Sequence, residues 1–284
     1  FLYLPRFDRE QERCMFRLTK ALAPAALICG VVACGGEDEL LEPESTATTA
    51  SPIINGYVAS QGFIDRQGAL YVRSGGGYTF NCGATYIGRN GSGQHWVLTA
   101  AHCVENTRGD YVVAFGKARR SQYSLSDTVS VQSVSIAPGY RFGQVSPNDI
   151  ALLRVSGQPN ATRSIMASST TDASNGEVVY ISGFGRTEQG VSSDLLLSAD
   201  TRVISTSQCR QFFPSVDSTQ ICILDNVGAR QNACNGDSGG PLFRPNATQV
   251  GLTSFGRGGC PTNVPAVYTR ISAFRSWIRS VSGL

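Results

Sequence analysis

From residue 53 onward the sequence predicts an all-β domain, a barrel or a sandwich. Two observations carry this. Short runs rich in Val, Ile, Thr and Tyr alternate with clusters of Gly, Ser, Asn and Pro, and only two stretches show helical signals. The chain has 284 residues, enough for one or two domains and a sizeable core. With 41% hydrophobic and 16% charged residues it is neither a disordered nor a coiled-coil protein.

Residues 1–52 read differently from the rest. Met15 opens a basic lead, Arg17 and Lys20, followed by an apolar run from Ala21 to Ala33. That run matches a signal-peptide core. The chain starts with Phe1, so translation is expected to begin at Met15, with residues 1–14 a gene-model artefact. A fragment or a longer leader is the alternative. Val31-Val32-Ala33-Cys34 resembles the lipobox of bacterial lipoproteins, which would make Cys34 a lipidation site. An ordinary signal peptide cut near Ala33 competes with it, and Cys29 needs no function. Residues 34–52 hold five acids, no bases and many Ser, Thr and Pro, the composition of an acidic propeptide or tether. The domain from Ile53 then has 19 Lys+Arg against 13 Asp+Glu, a net of +6 behind a whole-chain charge of +3.

Within the domain, Trp96–Thr99, Tyr111–Phe115, Val129–Ile136 and Val178–Ser182 are the clearest strands. Thr206 and Ser207 are placed to cap a short helix reaching about Phe212. Phe274, Trp277, Ile278 and Val281 fall at i, i+3, i+4 and i+7, one apolar stripe of a terminal helix over about 273–282. No basic run of the kind a nucleic-acid binder needs is present. No apolar stretch reaches the ~18–20 residues of a spanning helix. Two histidines, His95 and His102, exclude a site with three His ligands.

Three blocks carry chemistry: Thr99-Ala-Ala-His-Cys103, Asn148-Asp-Ile-Ala-Leu-Leu153 and Asn235-Gly-Asp-Ser-Gly-Gly-Pro-Leu242. A serine hydroxyl is a poor nucleophile near pH 7 and needs a base. A histidine titrates near neutrality and can take and return the proton. A buried carboxylate fixes the imidazole tautomer. Ser238, His102 and Asp149 are therefore the candidate nucleophile, base and orienting acid. Singly, each is an ordinary turn, core or capping residue. His95 matches no motif and is expected at a surface or edge.

In the order His, Asp, Ser, the three blocks resemble the trypsin/chymotrypsin family of serine endopeptidases over about residues 53–282. The resemblance implies two six-stranded antiparallel β-barrels with a C-terminal helix, barrel one about 53–160 and barrel two about 161–272. It implies an oxyanion hole from the amides of Gly236 and Ser238, worth ~3–4 kcal/mol per donor removed. Ser254-Phe-Gly256 resembles the family's Ser-Trp-Gly strand, so Ser254 is implied to support Asp149, with Phe255 in place of Trp. Six cysteines remain in the domain and allow 15 pairings. The resemblance implies Cys82–Cys103, Cys209–Cys222 and Cys234–Cys260, which fits an oxidising compartment.

Ile53-Ile-Asn-Gly56 resembles the family's mature N-terminus, whose freed amine pairs with the acid before the nucleophile, here Asp237. Residue 52 is Pro rather than Arg or Lys, so a trypsin-like activator is not expected and the activating protease is unknown. The implied pocket floor is Asn232, neutral where trypsin-like members carry Asp. Gly256 leaves one wall open and Ala266 adds a methyl. An uncharged P1 residue such as Leu, Phe, Tyr or Gln follows, unless Asp225 swings in. The expected partners are protein or peptide substrates and an activating protease, with no nucleic acid and no membrane contact beyond a lipid anchor. A monomer outside the cytoplasm, with no cofactor or metal, is expected, since residues 104–130 hold no calcium-type acidic cluster and no Cys-x-x-Cys occurs. A catalytically silent homologue acting as a binding module is the rival, and an esterase is a third reading. Asn90, Asn160 and Asn246 begin glycosylation sequons.

Overall fold

The structure, a computed structural model, describes residues 53–284 apart from Thr107, Arg108, Glu188, Asn226, Val227 and Ala229. Met15, Cys29, Cys34 and the acidic stretch fall outside the described residues. In chain order the strands are β1 (Tyr57–Val58), β2 (Gln67–Ser74), β3 (Gly77–Arg89), β4 (His95–Thr99), β5 (Tyr111–Phe115), β6 (Thr128–Ile136) and β7 (Ala151–Val155). They continue with β8 (Ile165–Met166), β9 (Val178–Gly183), β10 (Leu197–Ile204), β11 (Gln220–Ile223), β12 (Pro241–Phe243), β13 (Thr248–Phe255) and β14 (Ala266–Arg270). Helices are α1 (Gln61–Ile64), α2 (Thr206–Arg210) and α3 (Arg275–Ser282).

Two closed six-stranded antiparallel barrels result. The first runs β2-β3-β4-β7-β6-β5 and closes on β2. The second runs β9-β10-β11-β14-β13-β12 and closes on β9. Closure leaves no open strand edge, which is how short, twisted β-rich runs form a stable body. Two short strands lie off these circuits: β8 pairs in parallel with β13, and β1 pairs with β10. The expected start of barrel one at residue 53 therefore moves. Ile53 is fully buried in the core of the second barrel, among Val179, Ile181 and Leu242, and the chain enters the first barrel only at β2.

The helices also refine the expectations. α2 is capped by Ser205, whose side chain accepts from the Gln208 amide, not by Thr206 or Ser207. Gln208 reaches back in a capping box, and the helix ends at Arg210. A 3-10 turn, Ile271–Phe274, leads into α3, which stops at Gly283 in the left-handed region. α3 leaves the second barrel and crosses to the first. Ile271, Phe274 and Ile278 are buried in the same cluster as Leu98, Leu152 and Leu153. Burial of Ile278 alone stabilises by about 2 kcal/mol.

Polar side chains join the barrels. Ser182 donates to Gln67, Gln249 Nε2 donates to Thr85 Oγ1 (3.0 Å) and Thr269 Oγ1 donates to the Asp149 carbonyl (2.7 Å). The Gly83 amide donates to the Ser238 carbonyl (2.8 Å). Buried polar groups are tolerable only when paired, so this seam fixes one barrel against the other where the candidate residues meet.

Candidate active site

His102 sits on a 3-10 turn, Ala101–Val104, that follows β4 directly. Ala101, Cys103 and Val104 are buried, and the Cys82–Cys103 disulfide ties the turn to β3. The half-buried imidazole faces Asp149 of the segment entering β7. Asn148 just before it has φ of 65°, a conformation Asn tolerates better than most residues. Its side-chain amide holds the bend by donating to Pro138 O (2.9 Å).

Asp149 is buried and engaged at both oxygens. Oδ1 accepts from the His102 amide (3.0 Å). Oδ2 lies 2.7 Å from His102 Nδ1 and accepts from Ser254 Oγ at 2.6 Å. The carboxylate thus orients the ring through Nδ1, and Nε2 lies 3.7 Å from Cys103 Sγ. Burial alone pushes the His102 pKa down. The hydrogen bond and charge of Asp149, with the charge of Glu105, more than reverse this and hold it above the ordinary histidine range.

Ser238 lies on the other barrel, in the loop before β12. Gly236 has φ of 98°, a region closed to most side chains, and an added Cβ would meet Gly185 Cα at 3.0 Å. The Asn235 carbonyl turns away to accept from the Arg186 amide (2.8 Å). Among the described residues, neither the Gly236 amide, the Ser238 amide nor Ser238 Oγ hydrogen-bonds to the protein.

Asp237 points inward and is 1% exposed. It accepts from the Gly185 amide on Oδ1 and the Cys234 amide on Oδ2, both at 2.8 Å. The room comes from Gly183 and Gly185, where any Cβ would strike the carboxylate. Burial outweighs the two amides and pushes the Asp237 pKa up to about 7. A fully buried β-branched residue, Ile53, opens the described chain with φ of 56°, outside the regions such residues prefer.

Two cavities adjoin these groups. One, of about 190 Å³, is lined by Ser238 together with Asn232, Ser254, Phe255, Gly256 and Ala266. Asn232 donates through Nδ2 to the carbonyls of Pro261 (3.0 Å) and Val264 (3.1 Å), while Oδ1 accepts from the Ala233 amide (2.9 Å). Its polar atoms are engaged by the protein and bring no charge to the cavity. Asp225 is not among the lining residues; its Oδ2 accepts from the Gln231 amide (3.0 Å). The other cavity, of about 320 Å³, is bounded by His102, Asp149, Tyr140 and Val145 and shares Ser254 and Phe255 with the first. A third cavity, of about 240 Å³ beside Phe63, Tyr180 and Phe243, shares no lining residue with either.

The cysteines form Cys82–Cys103, Cys209–Cys222 and Cys234–Cys260 disulfides. Cys82, His102 and Cys103 cluster closely enough to suggest a metal site, but both sulfurs are oxidised and offer no thiolate. His95 is not at a sheet edge. It opens β4, between β3 and β7, and its Nδ1 lies 2.8 Å from Tyr86 Oη. Sequence reasoning did not find Thr269, Glu105 or Tyr140 near the site, nor Arg257, which lines the Ser238 cavity. All reach it from segments distant in sequence or outside the three blocks, with no spacing that marks them.

The trypsin family model matches residues 53–278. A chymotrypsin-like serine proteinase of Haliotis rufescens is 31% identical, over 84% of this chain and 95% of its own length. Fibrinolytic enzyme isozyme C of Lumbricus rubellus is 33% identical, over 72% and 90%. Brachyurin of Leptuca pugilator is 30% identical, over 82% and 99%. With two closed barrels, three disulfides and a family match spanning nearly the whole described domain, the chain belongs to the trypsin family and is a serine-type endopeptidase.

Proposed function

We propose that the domain hydrolyses peptide bonds through Ser238, His102 and Asp149 by way of an acyl-enzyme, and that it prefers an uncharged P1 residue. The observation that carries this is the bonded pair His102 Nδ1–Asp149 Oδ2 at 2.7 Å, in a cavity that shares Ser254 and Phe255 with the one lined by Ser238. In the first step His102 Nε2 takes the Ser238 proton as Oγ attacks the scissile carbonyl. The imidazolium that forms is stabilised by Asp149, itself held by Ser254. The negative oxygen meets the Gly236 and Ser238 amides, which need no reorganisation because no protein acceptor competes for them. His102 then protonates the leaving amine, and water repeats the sequence on the ester.

The P1 side chain enters the cavity walled by Phe255, Gly256 and Ala266. Its base is Asn232, whose polar atoms are already bonded, so Arg or Lys would lose water there without gaining a counter-charge. Fluorophosphonate labelling abolished by Ser238→Ala, and Phe or Leu substrates cleaved faster than Arg substrates, are the expected results. Failure of the unmodified domain to label would instead favour a silent binding module, and a clear Arg preference would refute the neutral pocket.

Activation follows the same logic. The buried Asp237 carboxyl has no cation among its described partners, and it lies beside the amides of the oxyanion loop. Cleavage between Pro52 and Ile53 would supply one, the new α-amine, next to a residue whose side chain is already buried in the second barrel. N-terminal sequencing of active enzyme should read Ile53; active enzyme that retains residues 34–52 rules this out. Export through the residue 15–33 signal and lipidation at Cys34 complete the reading, with the cut releasing a soluble enzyme from its anchor. The three disulfides suit an extracellular setting.

A further inference from the structure

The segment from Tyr140 to Ser146 walls the cavity beside His102, yet its middle has little to hold it. Arg141 through Val145 are all exposed, with Phe142 at 59% and Val145 at 70%. The Arg141 amide donates to Ser146 Oγ and the Gln144 amide to the Arg141 carbonyl, so both bonds stay inside the segment. Among the described residues, Arg141–Val145 makes one hydrogen bond that reaches beyond 140–146: the Gly143 amide donates to Glu105 Oε1 at 2.8 Å. The same oxygen accepts from Tyr140 Oη at 2.6 Å. Glu105 follows directly on the turn that carries His102 and lines the same cavity.

We propose that Glu105 is a latch: through one carboxylate oxygen it holds segment 140–146 as the wall of the cavity beside His102, and so sets which P2 side chain the enzyme accepts. This rests on the reading of Ser238, His102 and Asp149 as the reacting centre. An extended substrate places successive side chains on opposite faces. With P1 in the Asn232 cavity, P2 turns across the shared Ser254–Phe255 wall toward His102. There it meets Tyr140, Val145 and Phe255, surfaces suited to a medium apolar residue such as Leu or Val. Glu105 acts on P2 through segment 140–146 and takes no part in the bond changes, which makes it a positioning residue. The titratable groups facing it are Tyr140, His102 and Asp149. Its hydrogen bonds to Tyr140 and Gly143 lower its own pKa, so the latch stays ionised over the working range of a histidine base.

Three variants separate the latch from the charge. Glu105→Ala removes acceptor and charge. Glu105→Gln keeps an oxygen able to accept both bonds but removes the charge. Tyr140→Phe keeps the charge and removes one bond. For paired substrates with Leu or Gly at P2, the Leu/Gly ratio of kcat/KM should fall about five-fold in Glu105→Ala, mostly through KM. It should fall about two-fold in Tyr140→Phe and stay near the starting value in Glu105→Gln. Glu105→Gln should instead shift the acid limb of the pH profile downward. Amide exchange at Gly143, read on the same proteins, should quicken at least ten-fold in Glu105→Ala. An unaltered exchange rate in Glu105→Ala overturns the latch whether or not the protein cleaves peptides. So does an equal loss of kcat on both substrates. A domain that never labels with fluorophosphonate yet shows the exchange change would sink the reading of the reacting centre and leave the latch standing.

Discussion

The two barrels prepare their halves of the cleft in opposite ways. The first supplies His102 and Asp149 already joined, and the Asp149 side chain accepts three hydrogen bonds, two from His102 and one from Ser254. The second supplies Ser238 with its hydroxyl and two nearby amides unbonded to protein, over a buried acid at a raised pKa. One half is ordered by bonds that are made, the other by bonds left open, which the proposed function assigns to a substrate oxygen and a cation. The contrast extends to the backbone. Near the first half the left-handed non-glycine residue is Asn148, whereas Ile53, Asn55, Arg230, Ala247 and Cys260 all belong to segments on or around the second. Open donors and unusual φ values both cost folding energy, and two disulfides, Cys209–Cys222 and Cys234–Cys260, brace that side against one on the other.

Substitutions on the two sides should differ in kind. The largest effect is expected from Ser238→Ala, a loss of about 10⁶ in turnover, measured with a chromogenic peptide. Residual turnover within 10² of the starting value would break the assignment. Asp149→Asn comes next, about 10⁴, because the wrong tautomer of His102 would present no base to Ser238; Nδ1 protonation is observable by NMR. Ser254→Ala removes one bond to a charged acceptor, about 1.5 kcal/mol or ten-fold in kcat. A larger effect on KM than on kcat would show that Ser254 serves the substrate rather than Asp149.

The pH dependences are smaller and opposite in sense. Activity should fall as pH drops through the His102 pKa, and because that value is raised, the acid limb should lie above the ordinary histidine value of about 6.5. Asp237 in the uncut chain binds a proton more tightly folded than unfolded. Stability should therefore decrease as pH rises from about 4 to about 7 and level off above that. Denaturant melts of the uncut Ser238→Ala chain test this. A flat profile across that window would show that a cation already reaches Asp237 before cleavage.

Much of the first half could be read from sequence, since the His102 and Asp149 blocks are short and each puts its residue beside a buried strand end. The three residues Asn148, Asp149 and Ile150 already contain the bend and the strand start. The Ser238 loop was readable for the same reason, the Gly at 236 being a local demand of the backbone. What escaped is what depends on long-range placement. Thr269 reaches the Asp149 carbonyl across 120 residues, and nothing in its own neighbourhood marks it. Glu105 follows directly on the turn that carries His102, but its partners sit some 35 residues later. The attachment of residues 53–58 to the second barrel also eluded local pattern, because β1 is two residues long and exposed and its register is set by β10. The Ser205 cap was missed by one position, as three consecutive hydroxyl residues each satisfy the composition rule and only the Gln208 side chain selects among them.

α3 has a consequence for when this protein can become itself. The first barrel is synthesised first, yet its buried core includes Ile271, Phe274 and Ile278 from the last turns of the chain. That barrel cannot complete its interior until residues 271–278 have been made, so its folding must wait for the strands of the second barrel to be synthesised. If the chain is exported as an extended thread, as proposed, such delay would help it. On the proposed reading, hydrolytic power would then appear only after Ile271, Phe274 and Ile278 have docked.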